Sequence, residues 1–157
     1  MKTNIGLTDK QREEIAEGLF PILADEFIFF SKLLHAHWNV EGPDFHSAHT
    51  YLDELYHEQL ELIDSLAEYI RSIGHYVPAS LKKYLELTHL TEAYEGGNNS
   101  KEYFSDLLLT LESIIINLRK NIGPFEEKYK DAGASDFVTG LMEKHEKTAW
   151  MLRAHLK

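Results

Sequence analysis

The positions of the helix-breaking residues constrain this chain more than any other feature of its sequence. Gly and Pro cluster in short turns, and the long stretches between them carry apolar residues at helical spacing with no strand-like alternation. Residues 8–11 read TDKQ, a capping box, so a first helix is expected to begin near Thr8 and run to about Asn39. Pro21 lies inside this stretch and indicates either a kink or a later helix start.

The segments after the first turn predict three more long helices. These are expected over 45–73, from Ser100 to the break at 131–134, and from Ser135 or Asp136 to about Leu156. Gly74 stands where a helix C-terminal cap is needed, and residues 80–87 predict a short helix in the connection that follows. Four long helices with one extended connection predict an all-α, ferritin-like four-helix bundle forming a single domain over 1–157.

The charge balance of the chain argues against several classes of function. Sixteen basic residues against 26 acidic ones give a formal charge of −10, which opposes the neutralisation of phosphates on which nucleic-acid binding depends. The chain has no Cys, so thiol chemistry is excluded, and no apolar run is long enough to cross a membrane. The first ten residues lack the apolar core of a secretory signal, so export by that route is not expected. We therefore expect a cytoplasmic protein, and its nine His with many carboxylates suit divalent cations.

The second predicted helix carries His and carboxylate side chains along one narrow face. At about 100° per residue, this stripe is about 120° wide, and it contains no Lys or Arg. A solvated polar face explains such a stripe equally well, because most amphipathic helices have one. The members of the stripe are His49, Asp53, His57, Glu61, Asp64 and Glu68.

The spacing along the stripe makes a sharper prediction. His49 and Asp53 lie one helical turn apart, as do Asp64 and Glu68, so each pair can converge on an ion. Asp53 and Asp64 are about 16 Å apart along the axis, whereas metal–ligand bonds are about 2.0–2.6 Å long. The two pairs cannot serve one centre within a single helix. A second copy of the helix, antiparallel and related by a two-fold axis near residues 58–61, would set its Asp64 and Glu68 opposite His49 and Asp53 of the first. The same symmetry would create two equivalent sites.

His37 ends the first predicted helix within HAHWN, and the following turn can bring it beside His49. A His next to Trp at a helix end is more often a packed or capping residue, so its own neighbours leave its role open. The complete pattern has His-Trp-Asn twelve residues before a second His, then Asp, Asp and Glu four, fifteen and nineteen residues after that His. This pattern, over 36–39, 47–53 and 63–68, resembles the Dps family of mini-ferritins.

The resemblance implies a ferroxidase centre at a two-fold interface. His37, His49 and Asp53 would bind iron from one subunit, and Asp64 and Glu68 would bind it from the partner. It also implies a homo-oligomeric hollow shell, usually a dodecamer, that oxidises Fe(II) to Fe(III), preferring hydrogen peroxide to dioxygen. Ferric mineral would be stored inside, which protects against oxidative damage. The same ligands could also hold zinc or manganese without turnover.

Two tryptophans belong to the same set of expectations. The resemblance implies that Trp38 lies against the metal centre. Trp150 is either a second aromatic residue near the centre or a residue of the core or of an interface.

Acidic residues outside the five ligands are candidates for moving or depositing iron. Glu54, Glu58 and Glu61 could line the inner cavity and nucleate mineral, by likeness to ferritins, or could simply form a solvated helix face. Asp131 and Asp136 resemble the residues that line iron-entry pores in the family, and Asp136 is equally well explained as a helix N-cap.

Two alternatives compete with this reading. A within-subunit di-iron centre would need a Glu-x-x-His motif on each of two long helices. The chain has this motif at 54–57 and at 86–89, but the second lies in the crossover and not on a long helix. A non-enzymatic DNA-protecting nucleoid protein would need a basic tail, whereas Lys2 is the single basic residue before Thr8. We therefore expect DNA binding to be weak or absent. The remaining histidines are expected at the surface or at caps: His35, His46, His75, His145 and His155.

Overall fold

The computed structural model describes residues 3–157, so Lys2 lies outside the described part of the chain. Five helices and no extended strand make up this part, which confirms the all-α prediction. Four of the helices are long and one is short. They are α1 (Asp9–Asn39), α2 (Phe45–Ser72), α3 (Leu81–Leu87), α4 (Ser100–Glu127) and α5 (Ala132–His155).

The predicted capping box at the start of α1 is present in full. The Thr8 hydroxyl accepts from the backbone N–H of Gln11 at 3.2 Å, and the Gln11 side chain accepts from the backbone N–H of Thr8 at 3.0 Å. Two otherwise unpaired donors are satisfied in this way, which fixes the first turn. The helix continues through Pro21, so a later start at that residue is wrong.

The boundary between α4 and α5 differs from the sequence-based expectation. Helix α4 ends at Glu127, and α5 begins at Ala132, three residues before Ser135. Asp131 is the N-cap of α5, because its carboxylate accepts from the backbone N–H of Gly133 at 2.9 Å. The N-cap alternative for Asp136 is therefore wrong, since a cap side chain was already available one turn earlier.

The bundle pairs α1 with α2 and α4 with α5, and the short crossover helix α3 packs on α1. Apolar residues at helical spacing fill the interior, among them Leu19, Leu52, Leu66 and Leu111, none of which is measurably exposed. The burial of these stripes supplies most of the stability of amphipathic helices. None of the helices described over 3–157 is long and apolar enough to cross a membrane.

The core also contains a polar contact that the sequence did not predict. Glu26 and His145 are almost fully buried, and His145 Nε2 lies 2.9 Å from each carboxylate oxygen of Glu26. Gln59 donates to the same carboxylate at 2.6 Å. The expectation that His145 lies at the surface or at a cap is therefore wrong. The buried Glu26 carboxylate finds partners on α2 and α5, which offsets the cost of burying it in an apolar core.

Candidate metal centre

The junction between α1 and α2 brings two histidines face to face. Val40 is the C-cap of α1, and the turn over 41–44 places His49 beside His37, with ring centroids 3.9 Å apart and ring planes 22° apart. His37 Nδ1 lies 3.2 Å from the carbonyl oxygen of His49, and His49 Nδ1 lies 2.9 Å from that of His37. A carbonyl oxygen can only accept, so each Nδ1 carries the proton. In the neutral rings, each Nε2 therefore keeps the lone pair that a metal ion requires.

Asp53 lies on the same side of this histidine pair. It follows His49 by one turn of α2, and its Oδ1 lies 3.8 Å from His37 Nε2. Its side chain is 47% exposed, whereas that of His37 is 10% exposed. The structure thus stacks His49 on His37 and places the solvent-exposed carboxylate of Asp53 within 3.8 Å of the His37 ring.

Asp64 and Glu68 do not join this group. Both are exposed, and neither has a hydrogen bond or ion pair with any described residue. Helix α2 is continuous from Phe45 to Ser72, so the predicted axial separation of about 16 Å between Asp53 and Asp64 holds. Within residues 3–157 of one chain, no three His or carboxylate side chains are grouped closely enough to hold a metal ion. One chain therefore presents at most two separate half-sites.

Several large apolar side chains are exposed, some of them next to the predicted ligands. Leu60 is 47% exposed although it lies at the middle of the polar stripe of α2, close to the expected two-fold axis. Phe45 is 46% exposed and stacks on His49 with centroids 5.0 Å apart. Trp38 and Trp150 are 70% and 60% exposed, so the core alternative for Trp150 is wrong. Large apolar groups in such positions are typical of surfaces that another protein molecule covers.

Two residues beside Asp53 were not among the predicted ligands. His57 approaches the Asp53 carboxylate to 3.5 Å, and its Nδ1 lies 2.8 Å from the Asp53 carbonyl oxygen. The Tyr56 ring packs edge-on against that of His37, with centroids 5.1 Å apart. Desolvation, followed by the negative charge of Asp53, raises the pKa of Tyr56. The i, i+4 spacing could have identified His57, whereas the contact of Tyr56 with His37 depends on the packing of α1 against α2.

The acidic residues predicted to handle iron lie in two other places. Glu54, Glu58 and Glu61 are exposed and line a cavity of about 520 Å³ between α2 and α5, with Gln59 and His145 among its other lining residues.

Asp131 and Asp136 lie at the start of α5. The Asp131 carboxylate accepts from the Tyr69 hydroxyl at 3.3 Å as well as from Gly133, while Asp136 is exposed. Burial, followed by the charge of Asp131, raises the pKa of Tyr69, so its hydroxyl remains a donor.

Comparison with known proteins identifies the class to which this bundle belongs. The family model for the ferritin-like domain matches residues 17–157. A low temperature-induced protein of Nostoc sp. is 37% identical over 156 residues, covering 99% of this chain and 87% of the relative. DNA protection during starvation protein 2 of Bacillus anthracis is 34% identical, covering 92% of this chain and 97% of the relative.

A solved structure agrees with these relatives. The Dps protein of Vibrio cholerae, a member of a broad superfamily of ferritin-like diiron-carboxylate proteins, superposes with a TM-score of 0.89 at 26% identity, covering 100% of this chain and 98% of that one. The chain belongs to the Dps family of ferritin-like proteins. Membership of this family supports, in general terms, a role in iron storage and in the protection of DNA.

Proposed function

We propose that this protein oxidises Fe(II) at centres shared between two subunits and stores the product as ferric mineral. The observation that carries the proposal is the contrast between the two half-sites. His37 and His49 are stacked beside the Asp53 carboxylate, whereas Asp64 lies about 16 Å from Asp53 along the same helix. Among the described residues, the carboxylates of Asp64 and Glu68 have no hydrogen bond or ion pair. A second subunit is the simplest source of the missing ligands.

An isologous pairing of two α2 helices would complete both centres. With antiparallel helices and a two-fold axis near residues 58–61, Asp64 and Glu68 of each subunit would face the histidine pair of the other. Leu60 would then lie near the axis, where its exposed side chain could pack against its own copy. The exposed Phe45 and Trp38, next to the histidines, would be covered in the same interface.

The ligand set suits the substrate. Neutral imidazoles bind Fe(II) well, and carboxylates stabilise Fe(III), so oxidation leaves the iron in an environment that favours the product. Hydrogen peroxide accepts two electrons and therefore oxidises two Fe(II) ions. The reciprocal hydrogen bonds between His37 and His49 fix the Nε2 lone pairs before iron arrives, so no reorganisation of these rings is needed. Zinc or manganese would compete for the same ligands.

Iron would enter and be deposited away from the centre. We propose that the carboxylates of Glu54, Glu58 and Glu61 face the interior of a hollow dodecameric shell and bind the first ferric ions. Asp131 and Asp136 would line the entry pores. Asp131 can cap α5 through Oδ1 and also contribute negative charge at such a pore through Oδ2. Among the described residues, Oδ2 accepts one long hydrogen bond, from the Tyr69 hydroxyl at 3.3 Å.

Direct DNA binding by the folded chain would be weak. Each subunit contributes a formal charge of −10, and a shell multiplies this charge, so DNA phosphates would be repelled at physiological salt. Protection of DNA would then come from the removal of Fe(II) and peroxide. A clear electrophoretic shift of duplex DNA at about 150 mM salt would contradict this and favour the nucleoid-protein alternative.

Anaerobic loading with Fe(II), followed by stoichiometric peroxide, tests the proposal. We expect the wild type to develop ferric absorbance quickly and the double variant His37→Ala/His49→Ala to do so at least about 100-fold more slowly, because two of five ligands are missing. His75→Ala is the matched control, since His75 lies beyond α2 and contacts neither half-site, and it should retain the wild-type rate. Equal rates for the wild type and the double variant would eliminate the proposed centre.

A further inference from the structure

Three residues that the metal centre does not use meet on another face of the bundle. His89, in the crossover, has its Nδ1 2.7 Å from Asp25 Oδ2 and its Nε2 3.0 Å from Ser113 Oγ. Asp25 belongs to α1 and Ser113 to α4. The fold therefore brings Asp25 together with His89, which is 64 positions away in the sequence, and with Ser113, which is 88 positions away. The order of the contacts is carboxylate, imidazole, hydroxyl.

Asp25 is fixed as the orienting group of this set. Its side chain is 1% exposed, and it accepts from the Thr88 hydroxyl at 2.6 Å, the His89 backbone N–H at 3.1 Å and the Asn117 amide at 3.2 Å. Burial raises the pKa of Asp25, while the contacts with Thr88 and His89 oppose that change. Four donors, the imidazole included, thus converge on one buried carboxylate, which compensates the cost of burying it.

The protonation of the imidazole follows from this geometry. Asp25 accepts the proton on His89 Nδ1, so His89 Nε2 has the lone pair and can accept the hydroxyl proton of Ser113. A serine hydroxyl donating to an imidazole that is held by a buried carboxylate is the arrangement that activates serine nucleophiles on several unrelated folds.

The hydroxyl and the imidazole lie at the surface of the bundle. The His89 side chain is 43% exposed, and Ser113 is half-buried. Leu109 and Ile116, which lie four residues before and three residues after Ser113 on the same face of α4, are 67% and 55% exposed. An apolar group could therefore rest on α4 beside the nucleophile.

We propose that Ser113 is a nucleophile for acyl transfer from carboxylic esters that carry an apolar acyl group. Ser113 Oγ forms a bond to the carbonyl carbon while its proton passes to His89 Nε2. The bond from that carbon to the leaving oxygen breaks, and the leaving alcohol takes the proton from His89. Water then hydrolyses the acyl-serine, which releases the carboxylic acid and restores Ser113.

The position of Ser113 sets the expected rate. It lies within α4, where the backbone N–H groups are used in helical hydrogen bonds and are not free to stabilise an oxyanion. The loss of one oxyanion donor costs about 10²–10³ in kcat, so turnover should be slow. A stable covalent adduct is therefore a better measurement than ester hydrolysis.

The experiment labels metal-free protein with an alkyl fluorophosphonate and locates the adduct by peptide mass spectrometry. The phosphorus–oxygen bond forms at Ser113 and fluoride leaves, while the hydroxyl proton passes through His89 to solvent. We expect a single adduct on Ser113, none in Ser113→Ala, and labelling about 100-fold slower in His89→Gln, because general-base assistance is lost. Circular dichroism confirms that each variant is folded.

Ser105→Ala is the matched control, because Ser105 is an exposed serine on the same helix with no hydrogen-bond partner among the described residues. It should be labelled on Ser113 at the wild-type rate. A folded wild type that is not labelled, an adduct that persists in Ser113→Ala, or equal rates for wild type and His89→Gln would each show that these residues only attach the crossover to the bundle. Iron is absent throughout, so the result is independent of the proposed ferroxidase activity.

Discussion

Backbone carbonyl groups set the tautomers of the two histidines of the proposed metal centre. The carbonyl of each residue accepts from the Nδ1 of the other, which leaves the lone pair on both Nε2 atoms, and His37 Nε2 lies 3.8 Å from the Asp53 carboxylate. Helical spacing pointed to His49 and Asp53, and the resemblance to the Dps family added His37, but the sequence could not give the tautomers. Those depend on the path of the turn over 41–44, which places the two carbonyl groups within reach.

Tyr51, on the opposite side of α2 from the metal centre, gives a pH-dependent prediction. Burial, followed by Glu58 and Glu54, raises the pKa of Tyr51 to about 12. Its folded-state pKa therefore exceeds the unfolded value of about 10, so its stabilising contribution is complete below pH 10 and is lost as the pH rises through 12. Tyr51→Phe should remove one tyrosine from the alkaline end of a phenolate absorbance titration. If Tyr51→Phe instead loses a tyrosine that titrates near pH 10, the prediction that burial raises the pKa of Tyr51 is wrong.

At the scale of elements, the residues near a helix end in the sequence determine where the helix ends, whereas contacts between helices depend on distant residues. Gly74 has φ +96° directly after the C-cap Ile73, as its position after the last periodic residue of α2 predicted. The start of α5 was placed wrongly because Ala132, Gly133 and Ala134 suggested a break, whereas Asp131 caps a helix that runs through them. A favourable cap outweighs one Gly in the first turn, since Gly costs about 1 kcal/mol relative to Ala in a helix.

A pair of glycine substitutions tests the cap of α2. Gly74→Ala should lower the free energy of unfolding by about 1–2 kcal/mol, because its positive φ is unfavourable for a residue with a Cβ. The added Cβ would also lie 2.6 Å from the guanidinium of Arg12. Gly140→Ala, inside α5, should raise that free energy by about 0.5–1 kcal/mol, because the added Cβ would meet no described atom within 4 Å apart from its chain neighbours and the backbone of its own helix. Urea unfolding measures both, and effects of the same sign would contradict this account.

At the scale of the whole molecule, the proposed activity depends on the assembly of subunits. The half-sites of one chain are too far apart to cooperate, so a stable monomer could not form the proposed centre. The exposed Leu60, Phe45 and Trp38 mark the surface that a partner would cover. Membership of the Dps family agrees with an oligomer, while the number of subunits is part of the proposal.

Complementation between inactive variants tests the shared centre directly. Subunits with His37→Ala/His49→Ala and subunits with Asp64→Ala/Glu68→Ala should each be inactive alone, because each lacks one half of every site. In a mixed dimer, one site combines two intact halves. Random co-assembly of equal amounts should therefore restore about a quarter of the wild-type rate of iron oxidation. No restoration in shells that mass spectrometry shows to be mixed would mean that the two half-sites do not share a centre.

The sequence by itself determined the features that depend on the helical period. It gave the number of long helices, the stripe on α2 and the separation of its two half-sites, since each follows from residues near one another in the chain. Only the tertiary structure decided which distant side chains meet. It buried His145 against Glu26, joined Asp25 and Ser113 through His89, and oriented the imidazoles of His37 and His49. These contacts depend on how the helices pack and how the crossover lies on them, and no local pattern encodes either.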